Sequence, residues 1–149
     1  MDCYTYDTPI GLLSICANEE AILQVRFGEA ECTKETPLIW EAHAQLTEYF
    51  DGYRKKFNLP LQVAGTEFQK KVWGALCKIP YGKTICYREL AKLVGNPKAA
   101  RAVGMANNRN VLPILIPCHR VIGADGSLTG YAGGLSVKEK LLAIEGVQL

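Results

Sequence analysis

With 149 residues, 48% of them apolar and 21% charged, the chain suits one ordinary domain or two small ones, and its composition excludes intrinsic disorder and coiled coil. Its longest uncharged apolar stretch, residues 111–118, is eight residues long with two prolines, whereas a bilayer span takes about 20, so no transmembrane helix is expected. The net charge of +2 hides an asymmetry: residues 1–62 carry 5 basic and 10 acidic side chains, a net of −5, and residues 63–149 carry 12 and 5, a net of +7.

A polyanion is therefore expected to meet the second part, although lysines that only solvate helix faces would produce the same balance. The start of the chain lacks the positive segment of a secretory signal, so a cytoplasmic location is expected. Cys3, Cys16, Cys32, Cys77, Cys86 and Cys118 are irregularly spaced and read mostly as small buried apolar residues rather than a disulfide framework. With no C-x-x-C pair, and with His43 and His119 far apart, no metal site is assigned.

In chain order, alternating apolar residues and the turns at Thr8-Pro9 and Asn18-Glu19-Glu20 predict strands at 3–6, 11–17 and 21–27, forming an antiparallel meander. Leu38, Ala42, Leu46 and Tyr49 recur at helical spacing and predict an amphipathic helix over 37–50, on which His43 is a surface or boundary residue. Residues 58–65 read as an extended connector, and the charge changes sign across it, so the domains are set at 1–62 and 63–149.

Thr66-Glu67-Phe68-Gln69 is a capping box opening a helix whose apolar face runs through Phe68, Val72, Trp73, Leu76 and Ile79. A further helix is predicted over 86–94, closed by Gly95, and Asn96-Pro97 predicts an immediate restart over 98–107. Helix, tight glycine turn and helix is the helix-turn-helix pattern, though any two helices joined by a short turn share it.

Residues 111–118 deliver Cys118 between Pro117 and His119. Only a thiolate is a good nucleophile, and an imidazole that accepts the thiol proton is what cysteine chemistry requires. Neighbours in an extended chain point to opposite faces, so His119 is expected to reach Cys118 at a sharp turn or through a water. Taken alone, the dipeptide reads more readily as a buried core cysteine than as a nucleophile.

IPCHRVI, preceded by GNPKAARAVGMANNRN and followed by YAGGLSVKEKLLAIEG, closely resembles the O6-alkylguanine-DNA alkyltransferases, which repair DNA by direct reversal. The match runs without a gap from about residue 68 to 146. It implies an α+β fold of two small domains, the first ribonuclease-H-like, the second a mostly helical winged helix-turn-helix domain. It further implies that Cys118 accepts the alkyl group and that His119 removes its proton through a water. Glu145 would orient that histidine and Asn110 would brace the active-site turn. Tyr87 would press on the target phosphate and donate to the guanine oxygen, Arg101 would fill the gap left by the flipped base, and Val121, Tyr131 and Ala132 would line the base pocket.

The implied partner is double-stranded DNA carrying O6-alkylguanine, with O4-alkylthymine left open, bound in the minor groove by a monomer without metal or other cofactor. Transfer would be single-turnover, since nothing reverses the thioether. Extrusion of the base costs a few kcal/mol, for which a pusher and a plug are chemically expected. Binding is expected to weaken with salt. Cys86 stands where many relatives have a serine cap, Ala132 where some have serine, and the zinc ligands of some members have no match. No segment resembling the fused adaptive-response regulators is found, so repair without transcriptional sensing is expected. Competing readings are a non-catalytic damage binder, which would lack the acceptor cysteine, a sequence-specific regulator, and a cysteine hydrolase, which explains none of Asn110, Arg101 and Tyr87.

Overall fold

The computed structural model describes residues 1–148. Leu149, the last residue of the expected second domain, lies outside the described residues. The chain divides into two units, Met1–Ala64 and the remainder from Gly65.

In the first unit, β1 (Asp2–Thr8), β2 (Gly11–Ala17) and β3 (Ile22–Phe27) form an antiparallel sheet in the order β1-β2-β3. Helix α1 (Pro37–Phe50) packs on it, capped by the Thr36 hydroxyl, which accepts the Ile39 N–H at 3.2 Å. Ile39, Ala42, Leu46 and Tyr49 of α1 and Leu13, Ile15 and Val25 of the sheet are buried together as the core. His43 stacks flat on the Tyr6 ring, 3.7 Å between centroids.

The cysteines of this unit depart from expectation. The turn that sets Thr8 opposite Gly11 also sets Cys3 opposite Cys16, with Cα atoms 4.1 Å apart, and the two form a disulfide. Among the others, Cys32 and Cys77 are exposed, so Cys118 is the buried free cysteine among the described residues.

The second unit is mostly helical: α2 (Glu67–Leu76), α3 (Tyr87–Val94), α4 (Ala100–Asn108) and α5 (Leu135–Ile144), with β4 (Ile85–Cys86) and β5 (Val121–Ile122) in a short parallel pair. The capping box opening α2 is complete, Thr66 and Gln69 each satisfying the other's backbone N–H. The Trp73 indole N–H donates to the Ala106 carbonyl at 2.9 Å and ties α2 to α4. Gly65 lets the chain pass this indole, since a Cβ there would come within 2.7 Å of the ring.

Gly95 ends α3 in the left-handed conformation, φ 87°. The expected restart at Asn96-Pro97 is corrected: α4 begins at Ala100, leaving Lys98 outside it. The Asn96 N–H is spent on the Ala91 carbonyl, closing α3, and its own carbonyl accepts from Ala99 in a turn. Asn96 therefore finishes one helix instead of capping the next.

At the start of α3, the Glu89 carboxylate accepts the Cys86 N–H at 3.1 Å. A hydroxyl at residue 86 would be a better acceptor for the orphan helix N–H groups than a thiol. Cys86→Ser is expected to raise stability by about 0.5–1 kcal/mol, seen as a higher urea midpoint at unchanged slope.

Candidate active site

The run from Asn110 to Arg120 is shaped by one side chain. The Asn110 amide donates to the Ile116 carbonyl at 2.8 Å while its Oδ1 accepts the Leu112 N–H at 3.0 Å, clasping both flanks of a buried loop. Inside that clasp Ile114 takes a φ of 74°, a conformation a β-branched residue rarely adopts. The loop delivers the chain to a single 3₁₀ turn, Cys118–Arg120. The chain is thus sharply turned where the cysteine and the histidine follow one another.

All three residues of the turn are buried, as is Glu145, which follows α5. The Glu145 carboxylate accepts from His119 Nε2 at 2.6 Å, from Arg120 Nε and Nη2 at 2.8 and 3.1 Å, and from the Gly82 N–H at 3.0 Å. Each of its oxygens thus takes two donors, which fills the acceptor capacity of a carboxylate. Burial by itself would raise this carboxyl, but hydrogen bonds from His119 and Arg120 outweigh it and hold it at about 2. Arg120 also donates Nη1 to the Ile79 carbonyl at 2.7 Å.

Burial lowers the His119 pKa from 6.5, against the hydrogen bond and charge of Glu145, and so favours the neutral ring. With Nε2–H directed to a Glu145 that is ionised at neutral pH, Nδ1 is left as the acceptor of the ring. Burial pushes the Cys118 thiol up to about 11, opposed by a hydrogen bond from Asn110 and the charge of Lys138. Both shifts favour the neutral forms at rest, a thiol at Cys118 and an uncharged imidazole at His119.

Lys138 on α5 is fully buried, its amine donating to the carbonyls of Val121 at 2.6 Å and Thr129 at 2.7 Å. Burial lowers its pKa to about 8, while a charge on Cys118 raises it. The pairing is reciprocal: an ionised Cys118 and a protonated Lys138 stabilise each other.

The other residues named from the sequence lie around this centre. Val121 is buried and starts β5. Burial chiefly, then the charges of Cys118 and Glu145, raise the Tyr131 phenol well above 10. Tyr87 opens α3, with its hydroxyl 2.9 Å from that of Thr129. Ala132 is exposed on the loop before α5, and Arg101 is exposed in the first turn of α4. Cys118, His119, Glu145, Asn110 and Tyr131 are thus linked by contact or charge, whereas no bond ties Ala132 or Arg101 to them among the described contacts.

Sequence reasoning passed over Arg120, Lys138, Asn107 and Thr129. Asn107 is buried in α4, its amide facing the Cys118 carbonyl at 3.4 Å. Arg120 adjoins the Cys-His pair, which was a usable signal. Lys138 reads as one more surface lysine, because its partners are backbone carbonyls that no pattern marks.

The chain matches two family models: 6-O-methylguanine DNA methyltransferase, ribonuclease-like domain, over residues 1–63, and 6-O-methylguanine DNA methyltransferase, DNA binding domain, over residues 67–147. It is 51% identical to the methylated-DNA–protein-cysteine methyltransferase of Methanosarcina acetivorans, covering 95% of this chain and 96% of that protein. It is 49% identical to the constitutive methylated-DNA–protein-cysteine methyltransferase of Bacillus subtilis, covering 95% and 93%. Among solved structures it is similar to Mycobacterium tuberculosis OGT in complex with DNA, with TM-score 0.89, 43% identity and coverage of 97% and 92%.

Proposed function

The chain belongs to the methylated-DNA–protein-cysteine methyltransferase family, and from that premise we propose that it repairs O6-alkylguanine in DNA by moving the alkyl group onto its own Cys118. The observation that carries this reading is the 3₁₀ turn itself. It carries a buried cysteine followed directly by a buried histidine whose Nε2 lies 2.6 Å from Glu145, which leaves the opposite ring nitrogen to act as the proton acceptor.

The second domain, residues 63–149, carries both the chemistry and DNA binding. Its helix pair α3–α4 enters the minor groove as a monomer, and the protein works in the cytoplasm. Arg101, exposed on α4, fills the space of the extruded nucleotide, and Tyr87 presses on the target phosphate. Val121, Tyr131 and the backbone of Ala132 line the base.

As the lesion enters, His119 takes the Cys118 proton through a water, and the thiolate attacks the alkyl carbon in line with the C–O6 bond. The S–C bond forms, the C–O6 bond breaks, and its electron pair passes to guanine, helped by a hydrogen bond from Tyr87. Guanine regains one proton for the one the thiol has lost. Asn110 and the Lys138 charge steady the thiolate, and Glu145 steadies the imidazolium. The product is a thioether that no group in the site can cleave, so each chain acts once.

Incubation with a duplex containing O6-methylguanine is expected to add one methylene, about 14 Da, to each chain on Cys118, as intact-mass and peptide spectra would read. An unchanged mass despite tight binding to the lesion would make the protein a damage binder.

A further inference from the structure

Tyr87, proposed above to contact the substrate, has its hydroxyl already engaged by another side chain. Its hydroxyl lies 2.9 Å from Thr129 Oγ1, 42 residues further along the chain, and either oxygen can donate. Thr129 is itself fixed in place. Its carbonyl accepts the buried Lys138 amine at 2.7 Å. The next residue, Gly130, fits against α4 so tightly that a Cβ there would come 2.8 Å from the Asn108 side chain. The Tyr87 ring also lies against Gly104 of α4, where a Cβ would come 3.5 Å from it. The phenol is thus held between α4 and a loop anchored at two consecutive residues.

We infer that Thr129 is a positioning residue for alkyl transfer, acting through Tyr87 by aiming its phenol at the leaving guanine. The inference rests on the reading of Tyr87 as donor to that guanine. Two hydroxyls that share one hydrogen bond leave one proton over. When guanine presents an acceptor, Tyr87 turns its O–H outward and Thr129 donates to the phenol oxygen. Hydrogen bonds in series polarise one another, so the Tyr87 O–H becomes a stronger donor as negative charge develops on guanine. No further proton is consumed: Thr129 keeps its own throughout.

The test is the single-turnover rate of transfer from an O6-methylguanine duplex at saturating protein, together with duplex affinity. Thr129→Val is expected to slow transfer about three- to tenfold, the worth of one oriented hydrogen bond, with affinity unchanged. Thr129→Ala is expected to show the same loss, and Thr129→Ser, which keeps the hydroxyl, to restore the rate. Tyr87→Phe is expected to be slow, and Tyr87→Phe/Thr129→Val no slower than Tyr87→Phe alone, because the second change removes a bond already lost. A wild-type rate in Thr129→Val, a slow Thr129→Ser, or the same fold-loss from Thr129→Val in both backgrounds would overturn the role of Thr129 while leaving Tyr87 as donor. A wild-type rate in Tyr87→Phe would instead overturn the donor reading, and the inference with it.

Discussion

Cys118→Ala is expected to reduce alkyl transfer to the uncatalysed background while leaving binding to the lesion-bearing duplex intact. The proposed contacts that recognise DNA belong to Tyr87, Arg101 and the pocket residues, and none of them needs the sulfur. Nor can a substitute nucleophile be recruited at this position by His119. A serine hydroxyl holds its proton far more tightly than even a thiol pushed up to about 11, so Cys118→Ser is expected to be equally inactive. Intact mass reads the transfer, and fluorescence anisotropy on a labelled duplex reads the binding. The free cysteines outside the site are Cys32, Cys77 and Cys86. Cys86 directly precedes Tyr87, which makes it the residue to watch. A mass increase that persists in Cys118→Ala and maps to Cys86 would displace Cys118 from its role.

What could be read in the sequence follows from how local each interaction is. The Thr66–Gln69 capping box, the 37–50 helix and the left-handed Gly95 are determined within a few residues, and the structure shows all three. The start of α4 misleads because Asn96 has two local uses, capping the next helix or closing the last one. Because the N-cap of α4 falls at Ala99, Asn96 is left with the second, its N–H donating to the Ala91 carbonyl. The Cys3–Cys16 pairing depends on strand register, which the Thr8–Gly11 turn determines and cysteine spacing alone does not show.

The site divides in the same way. Cys118, His119 and Asn110 lie within one short segment, and the family resemblance draws Glu145 to them from 26 residues beyond His119. Arg120 and Lys138 stayed hidden because a charged side chain is ordinarily exposed. Their partners, the Glu145 carboxylate and the carbonyls of Ile79, Val121 and Thr129, are brought near only by the fold.

The buried Arg120–Glu145–His119 group supports the second large prediction. Arg120→Met removes the two hydrogen bonds that match the guanidinium to the carboxylate and leaves the Ile79 carbonyl without that donor. Removing one partner of a buried ion pair costs about 3–5 kcal/mol, a large part of the 5–15 kcal/mol that holds a typical domain. The wild type should show the same pair through acid. A carboxyl held at about 2 in the fold and near its ordinary 4.5 in the unfolded chain contributes about 3 kcal/mol, by 1.36 kcal/mol per pKa unit. Because the folded value is the lower one, that stability is fully present above 4.5 and is lost as pH falls toward 2. His119, whose pKa burial lowers from 6.5, acts in the same direction below that pH. Urea midpoints measured from pH 7 to pH 3 should therefore fall steeply for the wild type. Arg120→Met should start lower and begin acid unfolding at higher pH, since its carboxyl is no longer held down by the guanidinium. Glu145→Gln in the Arg120→Met background should recover part of the loss by removing the uncompensated charge. A single Arg120→Met as stable as the wild type would mean that water reaches Glu145. In that case the carboxylate could not hold His119 in the tautomer that accepts the Cys118 proton.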